Sequence, residues 1–132
     1  MSSIPVGTTH EQTLLVTSEV AINFLGLEQA RVLSTPHLIG YMEKTARECV
    51  LPFLEQGQDT VGTHVNVYHL AATPIGMKVT FRAEVVSVEE RRVNFKVEAF
   101  DEKEKVGEGT HQRAIINIAR FAERLQAKAA AK

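Results

Sequence analysis

The chain has 132 residues, 44% hydrophobic and 23% charged, with a formal net charge of −1. That bounds it to one domain, residues 1–132, and with no basic run it argues against nucleic acid or an anionic membrane surface as partner. A single cysteine excludes an intramolecular disulfide framework and cannot by itself build a metal site, and no apolar run approaches membrane-spanning length.

The first nine residues, with Ser, Pro and Gly, read as a loose lead-in that has neither a charged leader region nor an apolar one, so a cytoplasmic protein is expected. Residues 11–20 suit a short strand centred on Leu14, Leu15 and Val16. Residues 21–33 are apolar without a period, as in a lid over a pocket or a connection packed on the core. The stretch 34–54 reads as one helix, started by Ser34 or Thr35 with Pro36 in its first turn. On a wheel with Ile39 at zero, Leu38, Met42, Ala46, Cys49, Val50, Phe53 and Leu54 share one arc, with Lys44, Arg47, Glu48, His37 and Tyr41 opposite. Glu43 falls inside the apolar arc, at about 40°. Cys49 lies there too and reads as a packed thiol.

After Gly57 the period changes to two. Residues 60–72 alternate, with Val61, Thr63, Val65, Val67, His69 and Ala71 on one side. Thr73-Pro74-Ile75-Gly76 suits a type I turn. Residues 78–88 follow with Val79, Phe81, Ala83 and Val85 inward and a bulge expected near Val85-Val86. Residues 92–100 put Val93, Phe95, Val97 and Ala99 inward, 101–105 form a charged tip, and 106–118 form a last strand curved at Gly107 and Gly109. Residues 119–132 are helix-prone with a fraying end. The pattern predicts an α+β domain in which an antiparallel sheet wraps one long helix. Its open edges and outer face favour self-association.

Two ionisable groups point away from water: Glu43 on the helix's apolar arc and His69 on a strand's inward face. Each alone has a bland account, a snorkelling acid and a hydrogen-bonded core histidine. Together they sit on the two surfaces that meet, as an acid–base pair would. Thr35 lies on the same helical side two turns earlier, where helix-terminal N–H groups favour an oxyanion, and is otherwise a plain N-cap. His10, His37, His64 and His111 share no face and no metal-ligand spacing. Arg113 suits bidentate contact with a phosphate, or a surface position.

The segments Ser34-Thr-Pro-His-Leu-Ile-Gly-Tyr-Met-Glu43, Val61-Gly-Thr-His-Val-Asn-Val-Tyr-His69, Ala71-Ala-Thr-Pro-Ile-Gly76 and Gly107-Glu-Gly-Thr-His-Gln-Arg113 resemble, in order and spacing, the hot-dog-fold acyl-CoA thioesterases of the fluoroacetyl-CoA thioesterase group. The resemblance implies a hot-dog fold, five to six strands around one central helix, and a homodimer or dimer of dimers joined through sheet edges. It implies a catalytic set on Thr35, Glu43 and His69, with Gly62 against the acyl thioester, His69 also touching substrate, and Arg113 on the coenzyme A moiety. No cofactor is implied beyond coenzyme A as part of the substrate. Glu43 would attack the thioester or activate water, aimed by Thr35, and His69 would protonate the thiolate. The group's aromatic lid residue is missing from residues 27–31, with Phe24 the nearest substitute, so the reaction carries over better than the acyl group. A non-catalytic acyl-CoA sensor or carrier is the alternative. An enoyl-thioester hydratase is disfavoured, because its closely spaced Asp–His pair is absent.

Overall fold

The computed structural model describes residues 3–131. Its strands are β1 (Thr9–Leu15), β2 (Gln58–His69), β3 (Lys78–Glu89), β4 (Arg92–Phe100) and β5 (Lys105–Asn117), and its helices α1 (Thr35–Val50) and α2 (Ile118–Ala130). The strands form one five-stranded sheet in the order β1-β3-β4-β5-β2, with all neighbours antiparallel. Helix α1 thus carries the chain from one sheet edge to the other.

Period-two patterning decides the centre of the sheet. Val79, Phe81, Ala83 and Val85 of β3 and Val93, Phe95, Val97 and Ala99 of β4 are all 0% exposed, each large side chain contributing about 1.5–3 kcal/mol of burial. Leu38, Met42, Ala46, Cys49 and Val50 of α1 close the core against them. The expected bulge lies between Val85 and Ser87. Gly107 is side-chainless for packing reasons: a Cβ there would stand 3.0 Å from Met42 Cε and 3.2 Å from Leu38 Cδ2. A Cβ on Gly109 would collide with the Asn66 carbonyl of β2.

Several expectations need correction. Helix α1 has 16 residues and passes into a 3-10 turn at Leu51–Phe53, because Pro52 cannot continue an α-helix. Tyr41 is not solvated but stacks on Phe81 at 5.7 Å between ring centres. Strand β1 comes earlier than residues 11–20, and its inward His10 and Gln12 are polar. Gln12 donates to the Tyr41 carbonyl and to Thr45 Oγ1, so its inward polar side chain is satisfied. In β2 a bulge between Gly62 and His64 resets the alternation. Thr60 and Gly62 therefore face α1 before the bulge, and Val65, Val67 and His69 after it. The turn runs Pro74–Met77, closed by Met77 N–H to the Pro74 carbonyl, with Gly76 third at φ 97°, as in type II.

Candidate active site

Ser34, not Thr35, caps α1. Its Oγ accepts from the His37 N–H at 3.1 Å. Freed of that task, the Thr35 hydroxyl makes a 2.7 Å hydrogen bond with His69 Nδ1, at the last residue of β2. His69 Nε2 is buried and has no hydrogen-bond partner. Burial holds the imidazole below its ordinary pKa, with a backbone hydrogen bond at Ala71 opposing. The ring is therefore neutral near pH 7; with Thr35 O–H donating to Nδ1 the proton sits on Nε2, and with Nδ1–H donating to Thr35 Oγ1 the roles reverse. Beside the pair opens an apolar cleft of about 410 Å³ walled by Ile22, Phe24, Val32, Leu70 and Ala71.

The irregular segment before α1 is tethered rather than loose. Arg31 donates to the Ile22 and Ser18 carbonyls at 2.9 and 2.8 Å and to Ser18 Oγ at 2.9 Å. The tip beyond this clamp leaves Phe24, Leu25 and Leu27 exposed, Phe24 at 76%.

Glu43 does not meet His69 within the chain, and Thr35 does not aim it. Eight residues of helix separate Thr35 from Glu43, about 12 Å. Leu38, Met42, Ala46 and Cys49 form the buried centre of α1, which leaves Glu43 on its flank with the side chain 40% exposed. There its Oε1 lies 3.9 Å from Arg113 Nη1. A Cβ on Gly62 would lie 3.1 Å from that same oxygen and 3.3 Å from His111 Cε1. The missing side chain on Gly62 is what opens space in front of the carboxylate.

Arg113 is 6% exposed and turned inward, which contrasts with a surface position. Its Nε donates to Thr60 Oγ1 at 2.7 Å, Nη2 to the Thr60 carbonyl at 2.9 Å, and Nη1 lies 3.2 Å from His111 Nε2. His111 Nδ1 donates to the His64 carbonyl at 2.8 Å, so Nε2 is its acceptor toward Arg113. Burial pushes the His111 pKa down, and the Arg113 charge adds to that. Burial also lowers the Arg113 pKa, with Glu43 opposing. Thr60 and His111 escaped sequence reasoning. The signal was there: His111 and Arg113 alternate with Ile115 on the inward side of β5.

The site is thus two clusters, Thr35–His69 and Glu43–Gly62–His111–Arg113, both along β2, whose outer edge pairs with no strand among the described residues. The helix terminus offers an oxyanion less than the sequence suggests, since Ser34 takes the His37 N–H and Pro36 has none. Among the described residues no group of three or more His, Cys, Asp or Glu side chains is arranged to hold a metal, and no helix is long and apolar enough to cross a membrane.

The chain matches the fluoroacetyl-CoA-specific thioesterase family over residues 16–119. It is 40% identical over 101 residues to the fluoroacetyl-CoA thioesterase of Streptantibioticus cattleyicolor, covering 76% of this chain and 73% of that one. It is similar to the solved structure of a phenylalanine-to-alanine mutant of the fluoroacetyl-CoA-specific thioesterase in complex with fluoroacetate and CoA: 35% identity, 89% of this chain and 99% of that one, TM-score 0.82. It is also similar to a hot-dog-like protein from Thermanaerovibrio acidaminovorans: 26% identity, 97% of this chain and 95% of that one, TM-score 0.88. The fold is the hot-dog fold.

Proposed function

The chain belongs to the fluoroacetyl-CoA-specific thioesterase family, and from that premise we propose that it hydrolyses an acyl-CoA thioester with Thr35, Glu43 and His69 as its catalytic set. The observation that carries this assignment is the 2.7 Å Thr35–His69 hydrogen bond, which leaves a buried Nε2 without a partner beside an apolar cleft. The carboxylate comes from a second copy of the chain. Residues 62–66, Gly62 to Asn66, are all exposed on the free edge of β2. Two β2 strands pairing antiparallel about a two-fold axis between Val65 and Asn66 set His69 opposite Gly62 of the partner subunit. Glu43 of the partner subunit then faces the Thr35–His69 pair across the space that Gly62 leaves open. The outer sheet face, with Tyr68 64% and Val86 46% exposed, suits a further pairing of such dimers.

In this arrangement the acyl chain lies in the cleft and the thioester carbonyl lies against Gly62. Glu43 adds to the carbonyl, giving an anhydride that water hydrolyses, or takes a proton from the attacking water. On either route the C–S bond breaks and His69 Nε2–H gives its proton to the departing thiolate. Thr35 fixes the tautomer, and Arg113, held by Thr60 and His111, orients Glu43. These groups supply attack and proton transfer themselves, so the reading calls for no cofactor. The acyl group is the finer question: residues 27–31 hold no aromatic residue, while Phe24, the nearest substitute for a lid aromatic, lines the cleft, so the acyl-CoA panel decides it.

The test is free-thiol release from acyl-CoAs ranging from acetyl to long-chain and aryl. Glu43→Gln is expected to lose about a hundredfold or more in turnover. Near-normal turnover by that variant overturns the assignment, and binding without any thiol release would make the protein an acyl-CoA-binding module. Single turnover in heavy-oxygen water identifies the anhydride route where water attacks the Glu43-side carbonyl, since only that attack labels the Glu43 carboxylate.

A further inference from the structure

Where β5 passes into α2, a cavity of about 310 Å³ is lined by Gln58, Arg91, Ile115, Asn117, Arg120 and Arg124. Three arginines line it, and none forms an ion pair with a described carboxylate. Hydrogen bonds hold the main chain of two of them. The Ile115 N–H donates to the Arg91 carbonyl at 2.7 Å, and the Arg120 N–H donates to the Asn117 side chain at 3.0 Å. Arg120 and Arg124 stand one helical turn apart on α2, a like-charge spacing that costs about 0.2–0.5 kcal/mol in an isolated helix. Helix stability gives no reason for that repetition, and a bound anion does.

We propose that this cavity binds the phosphate groups at the nucleotide end of coenzyme A. The proposal rests on the acyl-CoA reading above and adds to it a place for the far end of the substrate. Gln58, on the cavity wall, is four residues along β2 from Gly62, about 13 Å, and Ile115 is two residues along β5 from Arg113. An extended pantetheine arm leaving the thioester at Gly62 therefore runs along the β2–β5 pair toward the three arginines. Their planar forks suit phosphate oxygens. Arg113 is already hydrogen-bonded inward to Thr60 and His111 and lies nearer the thioester end of this path. Acidic groups are near as well, Glu89 and Glu90 beside Arg91 on the β3–β4 turn and Glu123 on α2, which directs the site to a localised phosphate cluster rather than to a broad polyanion.

The experiment measures calorimetric binding of coenzyme A and of pantetheine, which lacks the phosphates, to the native protein and to the double variant Arg120→Gln/Arg124→Gln. Native protein is expected to bind coenzyme A about tenfold or more tightly than pantetheine, with a preference that weakens with salt. The double variant is expected to lose that preference. A variant that keeps the native preference, or a native protein with none, overturns the proposal. An unchanged melting temperature identifies a variant that folds. Failure of the thioesterase reading looks different: coenzyme A binds with the full preference, yet no acyl-CoA releases thiol.

Discussion

Replacing Gly62 by Ala separates stability from catalysis more sharply than any other single change. The added methyl would sit 3.1 Å from Glu43 Oε1, 3.3 Å from His111 Cε1 and 3.6 Å from Arg113 Nη1. His111 is pinned by the His64 carbonyl and by Arg113, so the half-exposed carboxylate yields, by a few tenths of an ångström. Gly62 is not among the positive-φ glycines, so alanine fits the backbone and reduces the freedom of the unfolded chain. Folding should gain up to about 1 kcal/mol, or a few degrees in melting temperature. The thioester, however, loses the space in front of Glu43, and misplacement on this scale costs on the order of a hundredfold in kcat/KM. Thermal denaturation and thiol release on the same preparation check both halves. A variant with native turnover would refute the placing of the thioester at Gly62. A variant that melts several degrees lower would refute the claim that only the carboxylate has to move.

Ser34 and Thr35 should part company in the same way. Ser34→Ala removes the α1 cap and is expected to cost about 1 kcal/mol of stability, whereas Thr35→Val leaves the cap and lowers turnover, read by melting and by thiol release. Stability should also fall as pH drops below about 6.5. His69 and His111 both have folded pKa values below their unfolded ones, so the unfolded chain binds more protons in that window and acid favours it. Asp59, Glu98 and Asp101, whose folded pKa values are also lowered, add to the loss only at more acidic pH. Denaturant melts at pH 7.5 and 5.5 check the histidine part, and equal stabilities would contradict it. Cys49, whose thiol burial pushes to about 11 and whose Sγ points at the Thr8 carbonyl, should resist thiol reagents at pH 8 until the chain is unfolded.

The central strands were legible because one face of β3 and β4 is uninterrupted Val, Phe and Ala, and two-residue spacing then leaves no second solution. Strand β2 was harder. A single extra residue at Thr63 reverses the sides of Thr60 and Val61 relative to His69, and nothing local in Gly62-Thr63-His64 announces it. Glu43 stood out on the wheel, correctly as an anomaly. The wheel does not give the direction of the neighbouring sheet, so it could not say that the flank holding Glu43 faces Arg113 and not His69. His10 and Gln12 hid β1 because their polar side chains face the helix and are satisfied there by Glu48, Thr45 and a backbone carbonyl. The separation of Thr35–His69 from Glu43 was hidden because the wheel gives direction around α1 but not distance along it, and eight residues of helix are about 12 Å.

Because α1 hands the chain from one edge strand to the opposite one, β2 has no partner nearby in sequence. The turns joining β3 to β4 and β4 to β5 close over a few residues, and those pairs need little loop entropy to form. Strand β2 must wait for β5, its one strand neighbour among the described residues, to be made and folded back, from Gln58 opposite Asn117 to His69 opposite Gly107. The strand carrying Gly62 and His69 therefore docks late in folding, after the β3-β4-β5 meander. Of the sheet's backbone amides, those of β2 should be the first to exchange with solvent in the isolated chain. Association through its free edge would hold them shut, so that completing the catalytic set and finishing the fold become one event.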